Sequence, residues 1–125
     1  MRIDELEELM TEDPSEAEAA LAELVSNANV RHLAHIAKNG RVLDLQLGAI
    51  EGLGEVGGAE ATAALVEMLE SANAPFVFGG TEHQMAHAAR QSSLVQAVSR
   101  TRGVPAPAGR SQDEIAEFIE SVRRD

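Results

Sequence analysis

The chain has no cysteine, no tryptophan and no tyrosine, and only three phenylalanines in 125 residues. Without cysteine it can form no disulfide and offers no thiolate, either as nucleophile or as metal ligand. Strands favour aromatic and β-branched side chains, so an apolar content carried by Ala, Leu, Val and Ile suits closely packed helices better than a sheet. No apolar run approaches the roughly 18 residues that a membrane-spanning helix needs. The opening "MRIDELEELM" is acidic and lacks the apolar stretch of a secretory signal, so a cytoplasmic location is expected.

Basic residues are scarce as well: 10 Lys and Arg stand against 21 Asp and Glu, for a net charge of −11. The imbalance is uneven, since residues 1–30 hold nine acids and one arginine while residues 86–125 hold five acids and six arginines. A negative field repels phosphate backbones, so no nucleic-acid partner is expected. Acidity of this size keeps a chain soluble in the plainer case. In the sharper case it gives an acidic N-terminal face that meets a basic protein.

What is present is helical periodicity, broken by short turns. Ile3, Leu6, Leu9 and Met10 share one face of a short capping helix. Pro14 begins a second helix, with Leu21, Leu24 and Val25 on its apolar side, running to about Asn27. Asn29 caps a third, with Val30, Leu33, Ile36 and Ala37 buried, and Asn39-Gly40 stops it. The next helix carries Val42, Leu45, Ala49, Ile50 and Leu53 and ends at Gly57-Gly58. Another follows with Ala63, Leu65, Val66, Met68 and Leu69 on its buried face. Gly48, Gly52 and Gly54 inside one helix would each cost up to about 1 kcal/mol in an exposed setting. They make sense where a missing Cβ lets neighbouring helices approach closely.

A longer helix is expected from Thr81, with Gln84 completing a capping box, to about Arg100. The turn "TRGVPAPAGRS" (101–111) precedes a last helix that Ser111 caps and that ends in Arg123 and Arg124. The helices pair, and the pairs resemble one another. A shift of 29 residues lays Ile50 on Leu21, Leu53 on Leu24 and Leu65 on Ile36; a shift of 45 the other way lays Ile50 on Val95 and Leu53 on Val98. Helix pairs recurring at about 30 residues indicate a stacked repeat. The longer step comes from "APFVFGG", which interrupts the stack.

The segment "GAIEGLGEVGGAEATAALVEML" (48–69) resembles the HEAT-like repeat of the phycobilisome-lyase type: an alanine-rich helix, a Leu-Gly pair, a Val-Gly turn, then "AALVEML". The resemblance covers this repeat, and the flanking ones match by apolar spacing. It implies an all-α fold, a short right-handed α-solenoid of about three helix pairs with an N-terminal capping helix. The chain is then one domain, with repeats at about 14–40, 41–72 and 81–125 and an insertion loop at 73–80. Such repeats usually serve as binding scaffolds. Some members attach bilins to antenna proteins, and related repeats build a di-iron hydroxylase and a DNA-repair glycosylase. The di-iron type uses His-Glu dipeptides, which this chain lacks, and the glycosylase type needs a basic concave surface with aromatics. No bilin-attachment signature is visible.

Few residues carry chemistry. His83 and His87 lie four apart, a spacing that can chelate a transition metal, and His32 and His35 lie three apart. Neither pair has a third ligand fixed by sequence, and both suit a solvated or partner-facing helix side. Ser92, Ser93 and Ser99 fall inside a helix, away from any strained nucleophile elbow. "GLGEVGG" satisfies a GxGxxG search but has no preceding strand and no lysine, so it holds no phosphate. Carboxylate pairs such as Asp113-Glu114 suit solvated helix starts. Arg90, Arg100, Arg102 and Arg110 serve helix ends or face an acidic partner, including another copy. The expectation is therefore a non-enzymatic adaptor that binds another protein, without metal or cofactor and with dimerisation open. Its contacts are expected at Phe76, Phe78, Thr81, Glu82, His83 and His87, with Arg90 behind them, while Phe76 and Phe78 can equally be packing. The alternatives are an accessory subunit of an enzyme, bilin-lyase-like or metal-dependent, and an acidic regulatory or immunity protein that blocks a basic partner.

Overall fold

A computed structural model describes residues 2–73 and 81–124, with backbone alone at 81–83. Among the described residues it is all helix, without strands: α1 (Ile3–Glu12), α2 (Pro14–Ser26), α3 (Val30–Asn39), α4 (Leu43–Val56), α5 (Gly58–Ala72), α6 (Thr81–Arg102) and α7 (Gln112–Arg124). None of these helices is long and apolar enough to cross a membrane.

Local chemistry sets the boundaries. Asp13 accepts the N–H of Glu16 through its side chain, and Pro14 occupies the first turn of α2, where a missing N–H costs nothing. Asn29 accepts from His32 and so starts α3. At α7, Ser111 Oγ accepts the N–H of Glu114 at 3.2 Å and donates to its carboxylate at 2.8 Å. The Glu114 carboxylate also accepts the Gly109 N–H at 2.9 Å, which ties the preceding turn to the helix. Glu114 therefore works as part of a cap, not as the solvated carboxylate that its place in an acidic pair suggested.

Ala28 with φ 51, Gly57 with φ 68 and Gly103 with φ 67, the residues at the turns after α2, α4 and α6, adopt left-handed backbone. Ala28 and Gly57 stand 29 residues apart, the same step that superposes the apolar positions of the two segments. At the first turn the Asn29 N–H reaches the Leu24 carbonyl, the pattern of a helix closed by a left-handed residue. Helix α6 runs two residues past Arg100, and the turn begins at Gly103, because the Gly103 N–H still bonds the Ser99 carbonyl at 2.8 Å.

One core joins the helices. Leu33, Ile36, Leu45, Ile50, Leu53, Leu65, Leu69, Val95 and Val98 are almost fully buried in it, with Ile115, Phe118 and Val122 from α7. Ala63 is exposed instead of buried; the inward face of α5 is set by Ala61, Thr62, Leu65 and Val66, which places residue 63 on the opposite side. Contacts run between sequential helices and also two along, α2 with α4, α4 with α6, α3 with α5, and α5 with α7. Glycine permits the closest of these approaches. A Cβ on Gly54 would lie 3.2 Å from the Ala97 Cβ and 3.3 Å from its Cα, so α4 and α6 meet there nearly backbone to backbone.

Candidate functional site

A cleft of about 450 Å³ opens between α3, α5 and α6, with α4 beneath. Ile50, Met68 and Leu94 supply apolar surface, and Lys38, Glu67 and Arg90 supply charge. His87 lines it as well.

Its polar centre is built around Gln46. This side chain is 8% exposed and lies on the inward face of α4 beside Ala49, Ile50 and Leu53. Its amide NH₂ donates to the carbonyl of Gly40, the residue that closes α3. That bond fixes the amide, because a carbonyl accepts only from the nitrogen side, so the Gln46 Oε1 is presented the other way. There it accepts from Arg90 Nη1 at 3.1 Å. A buried amide thus holds the guanidinium of α6 against α4. Lys38 and Glu67 form a salt bridge of 3.1 Å across the cleft rim; both are exposed, so it adds little to stability.

Two of the residues expected from sequence, His87 and Arg90, come together in this cleft. Thr81, Glu82 and His83 fall in the first turn of α6, with their side chains outside the described residues, and Phe76 and Phe78 lie outside them altogether. Sequence reasoning did not find Gln46, Lys38, Glu67 or Met68. A signal existed for one of them: Gln46 is the polar residue on an apolar helix face at the 46, 49, 50, 53 spacing.

Other candidates are placed differently. His32 and His35 line a smaller opening with Asp4, Glu7, Asn39 and Arg41. Asn39 Nδ2 lies 3.1 Å from both the His35 Nδ1 and its carbonyl, and the Arg41 N–H donates to Glu7 at 2.7 Å. Among the described residues no group of three or more His, Asp or Glu side chains is placed to share a metal ion. Arg102 donates to the Val122 carbonyl at the end of α7, and Arg110 donates to the carbonyls of Pro107 and Gly109, so both serve the turn and the helix end. A groove between α2 and α4 is lined by Glu18, Asp44, Glu51 and Glu55 above Leu21 and Val25, with no basic side chain on its walls among the described residues. Comparison with protein-family models, curated proteins and solved structures finds no match.

Proposed function

We propose that this chain is a non-enzymatic interaction module that holds a segment of a partner protein in the cleft between α3, α5 and α6. Its scaffold is a short right-handed solenoid of three HEAT-like helix pairs, α2–α3, α4–α5 and α6–α7, with α1 capping one end. Support for the repeats comes from the alternating contacts, α2 to α4 to α6 and α3 to α5 to α7, and from the left-handed residues that follow α2, α4 and α6. Single helix pairs cannot bury their apolar faces, so stacking supplies the core.

The observation that carries the binding role is the Arg90 guanidinium held by buried Gln46 beside Ile50, Met68 and Leu94. Concave apolar sites with a few fixed polar groups are how proteins hold ligands. A side chain fixed in advance also loses little freedom when a partner arrives. A photo-crosslinking residue in place of Ser71, at the rim of the cleft, should yield one protein adduct of defined mass in the native cell. The same residue in place of Ala19, exposed on α2 away from the cleft, should not. No adduct from Ser71 overturns the proposal. So does a stoichiometric metal in the purified protein that is lost on His83→Ala and His87→Ala, which would favour the accessory-subunit reading.

The carboxylate-lined groove between α2 and α4 favours a second reading, an acidic regulator that occupies a basic surface. Its mark would be an adduct from Glu18 rather than Ser71, and binding that weakens steeply with salt.

A further inference from the structure

We propose that the occupant of the cleft is the C-terminal end of a partner chain, its free carboxylate paired with Arg90 and its last apolar side chain against Ile50, Met68 and Leu94. The inference rests on the cleft being a protein-binding site, as proposed above, and names the chemistry it selects.

Arg90 presents its guanidinium on the wall of the cleft. A guanidinium has five N–H donors, and Gln46 accepts from one of its terminal nitrogens. Among the described residues Arg90 takes part in no salt bridge, although the chain has 21 acidic residues against 10 Lys and Arg. The other described charges on the cleft wall, Lys38 and Glu67, neutralise each other at 3.1 Å. Among the described residues the cleft is therefore left with one positive charge that no carboxylate pairs, in a chain of net charge −11. Remote acids count for little here, because salt screens charges beyond about 8 Å at physiological ionic strength.

The shape of the group selects the anion. A planar fork matches a carboxylate through two parallel N–H bonds, which a point-like ammonium does not provide. Gln46 cannot turn to compete, since its NH₂ is committed to the Gly40 carbonyl. The apolar wall beside Arg90 disfavours a multiply charged phosphate, which would leave its other oxygens facing Ile50, Met68 and Leu94. A chain terminus carries its anion and a side chain on the same residue. An internal Asp or Glu would draw polypeptide through the cleft on both sides, and about 450 Å³ accommodates only a short piece of chain.

Nitrogen-15 NMR titration of the full chain tests this with three acetylated hexapeptides. One is Gly-Ser-Gly-Ser-Ala-Leu with a free carboxylate, the second is its C-terminal amide, and the third is the amide with Glu replacing Ala. The free acid should shift the backbone amides of residues 67–72 and 87–94 and the side-chain amide of Gln46. The amide should bind about ten- to hundredfold more weakly, the range expected for losing a hydrogen-bonded charge pair. Arg90→Gln should weaken the free acid by that factor and leave the amide unchanged. The comparison of acid with amide uses the unaltered chain, so it does not depend on the variant folding.

Equal binding of acid and amide overturns the carboxylate assignment and leaves the cleft as a peptide site. Preference for the Glu-containing amide overturns the terminus and points to an internal acid. If no peptide moves the cleft resonances, the inference fails, while crosslinking from Ser71 decides independently whether the cleft is a binding site at all.

Discussion

Arg90 on α6 donates to the side-chain oxygen of Gln46 on α4 at 3.1 Å, and Gln46 in turn donates to the carbonyl that closes α3. Three helices are joined at one buried amide. Replacing Gln46 by Leu keeps its bulk but leaves the Gly40 carbonyl and Arg90 without that partner. The expected loss is about 1–3 kcal/mol in urea unfolding, the cost of stranding buried polar groups. Stability equal to wild type would show that water reaches these groups and that the amide is dispensable.

Two glycines of α4 should respond differently to added side chains. A Cβ at Gly54 meets the Cα and Cβ of Ala97, which cannot yield without moving α6, so Gly54→Val should cost about 1–3 kcal/mol by overpacking. At Gly48 the obstacle is Leu21 Cδ1 at 2.9 Å, the tip of a side chain that borders the open groove between α2 and α4. Gly48→Ala should stay within about 1 kcal/mol of wild type, because better helix propensity offsets the adjustment of Leu21. Chemical denaturation of both variants ranks them, and the reverse order would contradict the packing described.

Ala28 occupies a left-handed position, with φ 51, that Gly57 and Gly103 fill elsewhere in the chain. A Cβ there costs roughly 1–2 kcal/mol, partly offset by the greater freedom glycine gives the unfolded chain. Ala28→Gly should therefore raise stability by about 0.5–1 kcal/mol and increase the melting temperature. A fall would show that the turn does not need this conformation.

Glu114 has its pKa lowered below the ordinary carboxylate value, chiefly by the Ser111 hydroxyl bond, with further help from the Gly109 and Ser111 backbone N–H groups and the nearby Arg110. The unfolded chain therefore takes up this proton first as pH falls, so the contribution is present above the unfolded value and is lost on passing down through the folded one. Glu114→Gln should be less stable than wild type at neutral pH and should converge with it in acid. Unfolding curves across that range check the sign, and a gap that widens in acid would reverse the assignment.

Much of the fold was legible because it is written locally. Asn29 and Ser111 mark helix starts through contacts three residues along the chain, Pro14 marks one by fitting the first turn, and Gly57 and Gly103 mark ends by a conformation few other residues adopt. The apolar spacing of Leu45, Ile50, Leu53 and Leu65 likewise announced which faces are buried. Ala28 hid a similar turn behind a residue that gives no turn signal. The cleft was less legible: Gln46 and Arg90 stand 44 residues apart, and nothing local to either announces the other. His87 and Arg90 were singled out for following the segment "APFVFGG" in the sequence, whereas the structure gathers them through the packing of α6 over α4 and α5.

On the proposed reading, the cleft between α3, α5 and α6 holds a partner protein. Met68 is half-buried on its wall, and Met68→Arg would fill the opening with a charged side chain. Titration calorimetry of the partner crosslinked from Ser71, against wild type and Met68→Arg, measures whether the cleft is the binding surface. Loss of binding by about a hundredfold or more, with the melting temperature of the variant nearly unchanged, is the predicted result. Equal affinity for the two proteins would contradict it and place the binding surface elsewhere.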